Sequence, residues 1–207
     1  MFGSLTKGLV VAALLGAGWA GFNASSQAGS LDPTFISVGA PTLVPFGWVE
    51  FCHRYAHECD AGAGPALDIN ATPKAMKIIQ KINLWVNSNI TAKSDVEHWN
   101  VVDRWDYPSD GYGDCEDYVL LKRKMLMEEG FPRQALLVTV VKDEQGDGHA
   151  VLTVKTSKGE FVLDNMQDEV KSWERTPYRF VKRQSQHDQN VWVSIGTPVS
   201  SPLMVSR

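Results

Sequence analysis

Apolar residues recur at helical spacing through TPKAMKIIQKINLWVNSNI, where Met76, Ile79, Ile82, Val86 and Ile90 fall three or four residues apart. Thr72 suits the N-cap and Pro73 the first helical position, so the pattern predicts a helix over 73–90. A second helix is expected to run from an Asp114 N-cap to Gly130, with Val119, Leu120 and Met125 or Leu126 on its apolar face. Pro132 forbids its resumption. The period then changes. ALLVTVVK (135–142), HAVLTVKT (149–156), EFVLD (160–164), YRFVKRQ (178–184) and VWVSIG (191–196) are rich in β-branched residues and separated by turn-prone segments. They predict an antiparallel sheet. Helices followed by a run of strands define an α+β class, with the second helix packed on the sheet. Pro33, Pro41 and Pro45 and weak periodicity make the preceding stretch an extended lead-in over 29–40, and the folded domain is expected over 41–200.

The N-terminus carries another pattern. Lys7 precedes the apolar run GLVVAALLGAGWAGF (8–22), and small residues follow at Ser26 and Ala28. This is the layout of a secretory signal peptide over 1–28, cleaved after Ala28. The alternative is an uncleaved anchor, although the run is shorter than the roughly 20 apolar residues of a comfortable bilayer span. Net charge is −4 and no basic stripe stands out, so nucleic acid is not an expected partner.

Export changes the meaning of the three cysteines, because an odd count in an oxidising compartment leaves one thiol over. Cys52 and Cys59 lie close enough to close a small loop, and a disulfide between them is expected. His53 and His57 between them leave a metal site as an alternative, and two unpaired thiols as another. Pairing isolates Cys115, in GYGDCEDY, as the free thiol.

Cys115 falls in the first turn of the second helix, where unpaired amides and the helix dipole favour a thiolate. Asp114, Glu116 and Asp117 oppose it. A nucleophilic cysteine also needs a base and the base an orienter. Among His53, His57, His98, His149 and His187, His149 opens a strand directly after a turn, and Asp164 closes the next apolar strand. Cys115, His149 and Asp164 are therefore the candidate triad, with the sulfur expected to be ionised and open to solvent. The competing reading is a buried structural cysteine beside carboxylates that merely suit a helix start.

The segments DRWDYPSDGYGDCEDYVLLKRKMLMEEGFP, GHAVLTV and FVLDNM together resemble the bacterial transglutaminase-like cysteine proteinases, over about residues 41–196. The resemblance implies a papain-like or transglutaminase-like core, with Cys115 as nucleophile, His149 as base and Asp164 as its orienter. It implies a periplasmic, calcium-dependent endopeptidase, with Asp114 and Glu116, and less strongly Asp117, as calcium ligands. It further implies a surface or periplasmic adhesin-like substrate cut near small residues, a role in biofilm attachment, an inner-membrane cyclic-di-GMP receptor as partner, and a monomer. A transglutaminase, a cell-wall amidase and a non-catalytic exported binding module remain open on the same core. Tyr112 and Trp105 are the candidates for a second oxyanion donor.

Overall fold

The computed structural model describes residues 1, 3, 34–60 and 62–196; the rest of the expected signal peptide, the start of the expected lead-in and the last residues of the expected domain lie outside them. Strand β1 (Val38–Thr42) is followed by helices α1 (Phe46–Arg54), α2 (Ala56–Cys59) and α3 (Pro73–Asn89). Strand β2 (Thr91–Ala92), helix α4 (Asp95–Trp99), strand β3 (Tyr112–Gly113) and helix α5 (Cys115–Glu128) come next. The chain then turns to strands β4 (Leu136–Lys142), β5 (Gly148–Thr156), β6 (Gly159–Asp164), β7 (Gln167–Ser172), β8 (Arg179–Gln184) and β9 (Trp192–Ile195).

Seven strands form one antiparallel sheet in the order β1-β9-β8-β4-β5-β6-β7. Its centre is buried on both faces. Val138, Val140, Ala150, Leu152 and Leu163 meet α1, α3 and α5, while Val141, Val151 and Val162 meet Ile36, Phe180 and Ile195 on the other side. That two-sided burial explains why β4 and β5 read as near-continuous apolar runs rather than as alternating ones.

The predicted helix over 73–90 ends at Asn89, and the Thr72 side chain accepts from the Ala75 amide at 3.1 Å. Seven of the described elements had no sequence expectation: β1, α1, α2, β2, α4, β3 and β7. Cys52 and Cys59 form the expected disulfide. It consumes both sulfurs and leaves His53 and His57 exposed, which removes the zinc alternative.

Strands β2 and β3 pair in parallel, Thr91 with Tyr112 and Ala92 with Gly113, apart from the main sheet. Amides of Thr91 and Lys93 donate to the carbonyls of Gly111 and Gly113 at 2.8 and 2.9 Å. This small ladder closes the excursion over 93–111, which contains α4, and delivers the chain into the first turn of α5.

Candidate active site

Cys115 is the first residue of α5, which packs on β4, β5 and β6. The sulfur is fully buried, not open to solvent as expected. Sγ donates to Glu116 Oε2 at 2.9 Å. Burial, and then the negative charge of Glu116 and Asp114, push the thiol well above its ordinary range; the Ala150 amide on β5 works the other way. This arrangement disfavours the expected thiolate.

His149 and Asp164 meet. The β5–β6 register, with Leu152 opposite Leu163, sets the two residues diagonally across the strand pair. His149 Nε2 lies 2.9 Å from Asp164 Oδ1, and both residues are buried. A carboxylate only accepts, so Nε2 carries the proton and Nδ1 is left as the bare acceptor. Nδ1 is buried and has no hydrogen-bond partner among the described residues. Asp164 is held further by the Met166 amide at 2.9 Å and the Tyr178 hydroxyl. Burial raises its pKa, but His149, Tyr178 and Met166 outweigh that and hold it below the usual carboxylate range. Tyr178 lies near enough to both Asp164 and Cys115 for each to push its hydroxyl upward, which places the sulfur and the His149–Asp164 pair in one neighbourhood. The structure thus brings His149 to Asp164, while the hydrogen bond of Cys115 goes to Glu116.

The acidic residues divide. Asp95, Asp114 and Glu116 are buried and offer oxygens that all lie within 4.8 Å of one another. Asp114 sits at the N-cap of α5, yet its side chain makes no capping bond, because the carboxylate turns into this cluster. Both Asp114 oxygens and Glu116 Oε1 are buried without a donor. Burial first, and neighbouring carboxylates next, push Asp114 up to about 8 and Glu116 well above its usual range. Asp117 stands apart. Its Oδ1 accepts from the Asp106 amide at 2.7 Å, and its side chain fills the space where a Cβ on Gly113 would come within 2.7 Å. Three buried carboxylates gathered in one place, with orphaned oxygens on Asp114 and Glu116, are chemically suited to a hard divalent cation.

Asp95, the first residue of α4, was missed in the sequence. A capping box places it: Ser94 and Glu97 cap α4 reciprocally, and the Arg104 amide donates to the Asp95 carboxylate. Asp103 also reaches the cluster electrostatically and accepts from Trp105 Nε1 at 2.8 Å. That bond engages the Trp105 indole and leaves Tyr112 as the remaining candidate of the two for an oxyanion donor. Trp105 is core, edge-on to Trp48 and Trp192, whereas Trp99 is exposed and carries the Arg104 guanidinium on its face.

A cysteine at a helix start, packed on an antiparallel sheet that bears a buried histidine–aspartate pair, is the layout of papain- and transglutaminase-type thiol enzymes. The sequence model for the bacterial transglutaminase-like cysteine proteinases matches residues 38–199, and the chain belongs to that family. It is a cysteine peptidase, and its substrate is protein. Calcium-bound LapG of Legionella pneumophila shares the fold at 21% identity and a TM-score of 0.51, over 64% of this chain and 76% of that one. The EGTA-treated form of the same protein aligns at 20% identity and a TM-score of 0.46, over 70% and 83% of the two chains. No curated protein sequence matches the chain.

Proposed function

We propose that this chain is a calcium-dependent endopeptidase in which Cys115, His149 and Asp164 form the catalytic triad. The observation that carries the reading is the buried His149–Asp164 bond, which leaves Nδ1 bare beside the strand that faces the Cys115 sulfur. The thiol proton turns from Glu116 to His149 Nδ1 as Sγ attacks the peptide carbonyl. Nδ1–H then protonates the leaving amine, and water, activated by the same nitrogen, hydrolyses the thioester. Asp164 fixes the tautomer throughout and stabilises the imidazolium. The Cys115 backbone amide, at a helix start, serves as one oxyanion donor.

Asp95, Asp114 and Glu116 would hold calcium, with backbone carbonyls and waters completing its shell. A bound dication supplies positive charge beside the sulfur and so favours its ionised form. The family resemblance supports an exported, periplasmic enzyme that clips an adhesin-like surface protein near small residues and answers to a cyclic-di-GMP receptor at the inner membrane.

Candidate surface proteins incubated with the enzyme and analysed by mass spectrometry test this reading. Wild type with calcium should give discrete cleavage. Cys115→Ala and His149→Ala should each lower it by at least about a thousandfold, and a chelator should abolish it reversibly. Cleavage near the wild-type rate in either variant overturns the triad, and indifference to chelator removes the metal. Crosslinked or aminated product would point instead to acyl transfer.

A further inference from the structure

Tyr178 touches both members of the His149–Asp164 pair. Its hydroxyl donates to Asp164 Oδ2 at 2.5 Å. Its ring is tilted by 51° to the His149 imidazole, with 5.4 Å between the ring centres. The two carboxylate oxygens divide their partners. Oδ1 takes His149 Nε2 and the Met166 amide, each at 2.9 Å, while Oδ2 takes the Tyr178 hydroxyl and no second donor among the described residues. Asp164 is buried, so Oδ2 without that hydroxyl would be an uncompensated charge.

The fold brings the tyrosine there from a third strand. Val141 on β4 stands opposite His149 on β5 and opposite Phe180 on β8, which sets the three in one row on one face of the sheet. Tyr178 lies two residues before Phe180, and its ring packs on the same small core as Val141 and Phe180. The chain is anchored just upstream. After a single 3-10 turn, Trp173–Arg175, the Thr176 hydroxyl and amide both donate to the Trp173 carbonyl, at 2.7 and 3.2 Å. Trp173 stands edge-on to Phe180 with 5.7 Å between ring centres, and Pro177 fixes its own φ between them. Tyr178 is thus held from both sides. A phenylalanine would supply the same ring without a hydroxyl to satisfy, so packing alone does not account for a tyrosine.

We propose that Tyr178 is a positioning residue for the catalytic pair: its hydroxyl holds the Asp164 carboxylate with Oδ1 turned to His149 Nε2, and its ring braces the imidazole so that Nδ1 is kept for the thiol proton. The inference rests on the triad reading above. Burial raises the Asp164 pKa, and the Tyr178 hydroxyl is one of the donors, with His149 and Met166, that bring it below the usual range. The contact acts on the tyrosine in the opposite sense. Burial raises its hydroxyl first, and Asp164 next, ahead of Asp143 and Cys115.

The test is titration of the Asp164 carboxyl by NMR in the whole protein, labelled at the aspartate side-chain carbons, for wild type, Tyr178→Phe and Tyr178→Leu. Loss of the signal in Asp164→Asn assigns it. Tyr178→Phe keeps the ring and should raise the Asp164 midpoint by roughly one pH unit. It should also lower kcat for peptide cleavage about tenfold with KM near wild type. Tyr178→Leu should raise the midpoint as far and lower kcat further, because the brace goes too. A tyrosine that only fills space would leave the midpoint in place in Tyr178→Phe and lose stability only in Tyr178→Leu. An unmoved midpoint in Tyr178→Phe overturns the proposal, as does a moved midpoint with kcat unchanged. If Tyr178→Phe does not fold, the coupling is read in reverse, because it is reciprocal. In a tyrosine-labelled sample of Asp164→Asn, the Tyr178 hydroxyl should ionise at a lower pH than in wild type, and an unchanged midpoint there is equally fatal. The titrations need no turnover, so a failed contact is told apart from a failed triad, which the Cys115→Ala and His149→Ala assays decide.

Discussion

Asp114 occupies the N-cap of α5 and does not cap it. The local pattern, an aspartate ahead of an apolar helix, reads as a cap because sequence shows neighbours in the chain and not in space. Its carboxylate lies instead beside Asp95, nineteen residues earlier, which no local spacing connects to it. The resemblance added Asp117 as a weaker ligand candidate, in the same turn as the cysteine; in space its Oδ1 accepts from the Asp106 amide. The two assignments separate by calorimetry. Asp95→Asn and Asp114→Asn should each weaken calcium binding by about tenfold or more, because affinity follows the count of charged oxygen ligands. Asp117→Asn should bind calcium close to wild type. The reverse ranking would return the metal to the residues adjacent in sequence. The burial of the sulfur was missed for a related reason. A helix start favours a thiolate, but full burial and two flanking carboxylates prevail over it.

At the scale of elements, periodicity served well wherever burial is regular. Helix α3, helix α5 and five strands follow from apolar spacing and β-branched runs, each to within about two residues at its ends. The elements that escaped lack those signals. Helix α1 begins after Pro45, which offers no side-chain acceptor to mark a start. Strand β7, QDEVKS, is a polar edge with no buried face to impose alternation. It is held by a ladder of amides on α3. Gln80 Nε2 donates to the Asp168 carbonyl at 2.7 Å, Asn83 Nδ2 to those of Gln167 and Asp168 at 3.0 Å each, and Asn87 Nδ2 to the Asp164 carbonyl. These residues fall at the helical spacing that keeps them on one face. Asn87→Ala should therefore cost about 1–3 kcal/mol in chemical denaturation, with hydrogen exchange quickening first in the Asp164–Gln167 turn. Uniform quickening across the sheet, or no loss of stability, would show that the ladder does not hold this edge.

For the whole molecule, the cluster of Asp95, Asp114 and Glu116 joins α4 to α5, so a cation bound there binds the folded state and not the unfolded chain. Mass action then predicts stabilisation of about 2.7 kcal/mol at a calcium concentration one hundred times Kd. Calorimetry should show a melting temperature that climbs with calcium in wild type and stays flat in Asp114→Asn; a flat wild-type curve would deny a site built into the native state. The parallel pairing of β2 with β3 has a consequence for how this region tolerates change. It works as a clasp at the neck of a long excursion, with Asp95 and Asp114 rooted just past its two jaws. Inserting a few glycines at the exposed tip near Val101 and Val102 should leave those two roots in step. The outer rim beside the nucleophile is thereby open to remodelling while the charge beneath it stays put.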